Sequence, residues 1–209
     1  MKMDPGKSTA RPVCTRGFSL IEVVIVLFVT MVIAAILIPN ILLAVSNMRL
    51  RASAGALSGL MQQARILAAK NNKTYEILFA TSNGANIAYV DLNGNGSFDT
   101  GEPLIQFSGT TVFASGAPTG GGGQPSAYVL SGDTGNGSYD NTYTLGYTGR
   151  GLPCNYDTTT TPATCSTPPA KYFVYYLKDT RVGGSGWAAV VVTKSGRTKV
   201  VTWNGGSWQ

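Results

Sequence analysis

A chain of 209 residues is the size of one domain with room for an appendage. Only 12% of it is charged and 26 residues are glycine, a composition of turns and strands under a weakly charged surface. There is no histidine, and the three cysteines form no CxxC pair. That excludes Ser-His-Asp and Cys-His catalysis, HExxH metalloprotease chemistry, His-containing or four-cysteine zinc sites and thioredoxin-like redox chemistry. No other nucleophile–base pair supports a hydrolase, so the reading is a structural or binding protein and not an enzyme.

The first seventeen residues, MKMDPGKSTARPVCTRG, carry Lys2, Lys7, Arg11 and Arg16 against Asp4 and contain no apolar run. The formal charge of the chain is +6, and half of it lies here. From Phe18 to Val45 the character is predominantly apolar, and no residue between Glu22 and Arg49 is charged. At ~1.5 Å per residue such a helix crosses a hydrocarbon core of about 30 Å. Basic residues ahead of it place the N-terminus in the cytoplasm and the remainder across the membrane. Glu22 sits inside the apolar run, where an ionised group costs on the order of 2.5–3.5 kcal/mol. Arg16 is more than a turn and a half away. A cut after Gly17 would bring a new α-amino group on Phe18 within one helical turn of Glu22.

Arg16-Gly17-Phe18-Ser19-Leu20-Ile21-Glu22, followed by an apolar helix, resembles the leader motif of type IV pilins. The resemblance implies that a prepilin peptidase cuts after Gly17 and methylates Phe18. It also implies that Glu22, fifth in the mature chain, pairs with the N-terminal amine of a neighbouring subunit. Pro39 falls where many helices of that family carry a proline. The implied domains are a cleaved leader (1–17), an N-terminal helix (18–70, with 18–45 transmembrane) and an extracytoplasmic head (71–209).

Beyond the membrane segment, Leu50, Ala54, Leu57, Met61, Ala64 and Ala68 recur every three or four residues, a helical stripe. Arg49, Arg51, Ser58, Gln62, Arg65 and Lys70 occupy the other sides. The spacing predicts one helix from Phe18 to about Lys70, ending before Asn71-Asn72. The stripe faces the head, with a seam against other subunits as the second reading. The stretch from Leu50 to Phe79 is also similar to minor pilins and pseudopilins of the GspH/FimT type.

After Lys73 the apolar period shifts towards 2, and strands are predicted at Thr74–Phe79, Asn86–Val90, Leu104–Phe107, Ala127–Leu130, Tyr172–Leu177, Trp187–Thr193 and Arg197–Trp203. Lys194-Ser195-Gly196 is a hairpin turn. The run Gly120–Gly123 has no strand–helix context and reads as a loop, not a phosphate site. About 140 residues suffice for one core. The fold class expected is α+β: a long N-terminal helix, transmembrane then amphipathic, packed on an antiparallel β-rich head, as in the pilin fold. The ending VVVTKSGRTKVVTW again resembles the GspH/FimT pattern.

Residues 91–102, DLNGNGSFDTGE, meet D-x-[DN]-x-[DN]-G-x5-E in full. Asp91, Asn93, Asn95, Asp99 and Glu102 side chains and the Ser97 carbonyl are the oxygen set of a calcium shell. Strands flank the loop where an EF-hand has helices, so the alternatives are a weak calcium site, with a dissociation constant about 10⁻⁴–10⁻³ M, or a polar hairpin tip. Gly135–Asp140 repeats part of the pattern without an acid matching Asp91 or Glu102. Cys14 falls in the leader. Cys154 and Cys165 remain, in a Pro/Thr-rich loop, and an extracytoplasmic head implies a disulfide between them, with two free thiols as the alternative.

The function expected from the resemblance is a minor pilin or pseudopilin of a type IV pilus or type II secretion machine. Its partners would be other pilins, the prepilin peptidase, and the inner membrane with its assembly platform. Its path would run from single-pass inner-membrane protein to filament and, for a pilus, the cell surface. The alternative is a DNA-uptake pilin, because some FimT-like relatives contact DNA through a C-terminal Gly-Arg-x-Arg stretch. Here that stretch is Gly196-Arg197-Thr198-Lys199 with Lys194 before it. Phosphate pairing by Lys194, Arg197 and Lys199 and base stacking on Trp203 and Trp208 would be the means, against the preferred reading of a solvated hairpin with core tryptophans.

Overall fold

The computed structural model describes residues 17–114, 116–118, 125, 144–157, 160, 163–167, 172–180 and 186–209. The strand expected at 127–130, the glycine run and the partial repeat at 135–140 lie outside these residues. So do Arg16 and the rest of the leader ahead of Gly17. The chain divides into two compact units between Ile41 and Leu42.

Helix α1 spans Leu20–Asn71 and passes through Pro39. Ser19 starts it: its carbonyl accepts from the N–H of Glu22 at 3.1 Å and of Val23 at 3.2 Å. Asn72 ends it with a left-handed φ of 48°, and Lys73 N–H returns to the Ala68 carbonyl at 3.1 Å. This is a Schellman stop, with asparagine in the place glycine most often takes.

Among the described residues of the unit from Leu42 onward, ten strands form two antiparallel sheets. β1 (Tyr75–Ser82), β2 (Ala85–Asp91), β3 (Leu104–Gln106), β5 (Thr144–Tyr147), β6 (Pro153–Asp157) and β7 (Thr164–Ser166) make a six-stranded sheet in the order β3-β2-β1-β5-β6-β7. β4 (Thr111–Ala114), β8 (Phe173–Asp179), β9 (Trp187–Val192) and β10 (Thr198–Thr202) make a four-stranded sheet in the order β10-β9-β8-β4. Asn83-Gly84, both at positive φ, close the β1–β2 hairpin as a two-residue turn matched to strand twist. Four strands, β4 to β7, lie outside the runs predicted from the sequence. The supposed loop around the two cysteines is in fact the β6–β7 hairpin, and Cys154 and Cys165 stand on its strands.

The main core joins the helical stripe to the inner faces of both sheets. Leu50, Ala54, Leu57, Leu60, Met61, Ala64 and Ala68 meet Ile77, Val90, Leu145 and Tyr147 from one sheet and Tyr175, Leu177, Val190 and Val192 from the other. The Tyr175 hydroxyl, deep in this core, accepts from Leu145 N–H at 3.2 Å and ties one sheet to the other. A second cluster covers the opposite face of the four-stranded sheet: Val174, Tyr176, Ala189, Val191 and Val201 under Trp203 and Trp208. The described structure is thus an α+β fold of pilin-like form, an apolar N-terminal helix whose later turns pack on antiparallel sheets.

Candidate functional site

The N-terminal motif begins on open chain. Gly17, Phe18 and Ser19 precede α1, and nothing lies within 4 Å of the point where a Cβ on Gly17 would stand. Glu22 is in the first helical turn, exposed, and is followed by side chains exposed on every side of the helix, from Val23 through Val45. The most apolar window of α1 has a mean hydropathy of 3.1, so by length and composition the helix can cross a membrane.

The 91–102 loop joins β2 to β3 and is wound around its own carboxylates. Asp91, 1% exposed at the end of β2, accepts three backbone N–H groups: Asn93 at 3.1 Å and Gly94 at 2.6 Å on Oδ1, Gly96 at 2.7 Å on Oδ2. Glu102 accepts Leu92 N–H at 2.9 Å and Asp99 N–H at 3.0 Å, closing the loop from its far end. Asn93 and Asn95 form successive Asx turns and direct their amide N–H groups to Asp99 Oδ2, each at 2.7 Å. These two donors hold the Asp99 carboxyl below its usual range. Gly94 and Gly96 supply left-handed φ values of 75° and 74°, which let the backbone turn its N–H groups inward. Tyr89 donates its hydroxyl to Gly96 carbonyl at 3.2 Å and meets Phe98 edge-on at 5.5 Å. All six residues named from the sequence are therefore brought into one loop. Among the described residues, no three His, Cys, Asp or Glu side chains stand as a ready-made metal cage. The donors are nonetheless all hard oxygens, and each Asn oxygen that takes one N–H keeps a second lone pair.

Glu76 is not among the site residues expected from the sequence. It is the Cα partner of Asp91 on one side and of Gly146 on the other, on the sheet face that turns away from α1. It is only 3% exposed. Burial first, then the neighbouring Asp91 charge, raises its carboxyl to about 7. Gly146 is needed beside it, because a Cβ there would stand 3.0 Å from Cys154 Sγ and 3.1 Å from Tyr156 Cβ. Burial, followed by Glu76 and Asp91, also raises the Tyr156 phenol. The signal for Glu76 was a lone acid in the strand YEILF, which alternation reads as an ordinary outward-facing position.

A family model described as the prokaryotic N-terminal methylation motif matches residues 14–38. This chain carries the N-terminal methylation motif typical of type IV pilins and pseudopilins. No curated protein matches the chain. No solved structure matches it either. The motif implies processing by a prepilin peptidase and assembly with other pilins, and pilin-family proteins are structural subunits, not enzymes. An apolar helix of this kind fits inner-membrane anchoring before assembly.

Two further sites belong to the head of this pilin-like chain. Cys154 on β6 and Cys165 on β7 form a disulfide with Cα atoms 5.4 Å apart. Arg197 and Lys199 are exposed and Lys194 half-buried around the β9–β10 turn, where Gly196 has a φ of 81°. Trp203 and Trp208 are 7% and 9% exposed and meet each other at 5.4 Å inside the second core cluster. They are core residues, as the solvated-hairpin reading has them, and not the stacking platforms that the DNA-uptake alternative needs; the cations have no exposed tryptophan beside them from this pair.

Proposed function

We propose that the chain is a minor pilin or pseudopilin of the GspH/FimT type. It would be held in the inner membrane with its N-terminus cytoplasmic and its head periplasmic, cut after Gly17, and drawn into a type IV pilus or type II pseudopilus. The observation that carries this reading is Glu22. It is the only charge in the exposed apolar stretch and lies one turn from Phe18. A freed and methylated amine on the subunit above or below is a partner of the right sign. Processing and assembly are separate steps with separate tests. Co-expression with a prepilin peptidase should remove seventeen residues and add one methyl group to Phe18, read by intact mass. Gly17→Val should abolish that change. Glu22→Ala should still insert and be cut but fail to enter filaments. Cleavage of Gly17→Val at the same bond, or normal filament entry of Glu22→Ala, would overturn the corresponding step.

The same proposal includes calcium at the 91–102 loop. Its support is the complete spacing of oxygen donors and the left-handed glycines that wind them together. Asp91, Asn93, Asn95, Asp99, Glu102 and the Ser97 carbonyl would hold the ion, and its charge would offset three crowded carboxylates in the loop. The DNA-uptake alternative rests only on Lys194, Arg197 and Lys199. A gel-shift titration in which Arg197→Ala/Lys199→Ala lost salt-sensitive binding would favour it.

A further inference from the structure

We infer that Glu76 is the counter-carboxylate of a divalent-cation centre at the 91–102 loop, setting its affinity from across the β1–β2 ladder; the inference rests on the calcium reading of that loop. Glu76 and Asp91 are directly opposed on neighbouring strands. Opposed side chains on one face have Cβ atoms about 4.5–5.5 Å apart, and like charges so placed are destabilising. Both residues are removed from solvent, at 3% and 1% exposure. Glu76 Oε2 has no hydrogen-bond partner, although a buried carboxylate oxygen ordinarily has one. Asp91 cannot donate to an ionised Glu76, because an ionised carboxylate only accepts and Asp91 already takes three N–H groups. Glu102 accepts from Leu92 N–H, next to Asp91, and from Asp99 N–H, so Asp91, Asp99 and Glu102 with the opposed Glu76 share one neighbourhood. Such a group of four is uneconomical for a mere turn, since two carboxylates and a handful of N–H groups already hold the loop. A divalent cation on the Asp91 side changes the sign of the local field. Glu76 then becomes an attractive charge behind the ion.

This arrangement predicts opposite effects of one substitution with and without cation. Glu76→Gln keeps the side-chain shape and removes the charge. In the full chain in detergent micelles at pH 8, it should raise the melting midpoint in chelator, because an uncompensated buried charge is gone. It should also weaken calcium binding by about tenfold, the order expected from losing one unit charge at strand-neighbour distance. Calcium and terbium titrations would read the affinity, terbium through emission sensitised by Tyr89. Asp91→Asn is the control for the loop itself. A Glu76→Gln protein with calcium affinity within twofold of wild type, or with a lower midpoint in chelator, overturns the role of Glu76. A wild-type midpoint that does not respond to calcium, or an Asp91→Asn protein that responds as fully as wild type, overturns the loop site and with it this inference.

Discussion

The two halves of α1 differ in kind although both belong to one helix. From Leu20 to Ile41 nearly every side chain is exposed, with Phe28 at 69%, Ile36 at 64% and Ile38 at 57%. From Leu42 to Asn71 the buried positions form a stripe, Ser46, Leu50, Ser53, Ala54, Leu57, Leu60, Met61, Ala64 and Ala68, with exposed polar side chains on the other sides. A helix apolar all round finds its partners in lipid or in other chains, whereas a striped one finds them in its own domain. Apolarity alone therefore does not say what a helix packs against. Its distribution around the axis does, and here the distribution changes within a single element.

The largest effect should come from truncating the stripe. Leu57 is fully buried among both sheets, so Leu57→Ala should cost the head about 2–5 kcal/mol. Leu27, 62% exposed, should give no measurable change in the same unfolding experiment. Denaturant unfolding of the full chain in micelles, followed by near-UV signals of the head tryptophans, would measure both. Equal losses would break the comparison, because the apolar run would then be supporting the head directly.

The same contrast explains what was readable in the sequence. Both parts of α1 were legible because an uninterrupted apolar run and a 3.6-residue stripe each have few alternative explanations. β8, β9 and β10 were legible because YFVYYL, WAAVVV and TKVVT are rich in β-branched and aromatic residues. TLGY, PCNYD and TCS carry glycine, proline and threonine and read as loop, yet they are β5, β6 and β7. Their strand form comes from the ladder: Gly146 pairs with both Glu76 and Cys154, contacts no local pattern encodes. The oxygen-rich spacing of residues 91–102 was legible, and the burial of Glu76 was not, because it follows from what stands across the sheet. Trp203 could be read from sequence as a core residue or as a stacking aromatic beside cations, because the cluster that covers it is assembled from β8, β9 and the residues after β10.

A smaller effect should come from the sheet edge. The disulfide joins β6 to β7 across a sequence separation of 11 residues. Constraining so short a loop in the unfolded chain stabilises the fold by at most about 3 kcal/mol. Cys154→Ala/Cys165→Ala should lower the head's midpoint by no more than the Leu57→Ala change, and adding reductant to wild type should reproduce the loss. A double variant more damaging than Leu57→Ala would mean that head stability resides at the edge and not on the stripe.

The smallest effect concerns the polar margin of the stripe. Ser58 Oγ and Gln62 Nε2 both donate to Thr198 Oγ1, at 3.0 and 2.9 Å, and Arg65 Nη1 donates to the Gly196 carbonyl at 3.3 Å. About two turns of helix thus carry a short row of hydrogen bonds to the β9–β10 hairpin, beside the apolar contacts. Thr198→Val removes the shared acceptor while keeping a β-branched side chain of the same shape on β10, so strand propensity is unchanged. Ser58 and Gln62 are only half-buried, and water can replace the lost partner. The expected loss is therefore the ordinary net value of hydrogen bonding, about 0.5–1.5 kcal/mol, and not the penalty for an orphaned buried donor. Gln62→Ala in the Thr198→Val background should then add little, because its only hydrogen bond to the hairpin is already gone. A Thr198→Val loss approaching that of Leu57→Ala would show that water cannot reach this margin. The row would then belong to the core, and the division of the second half of α1 into an apolar stripe and a solvated flank would fail.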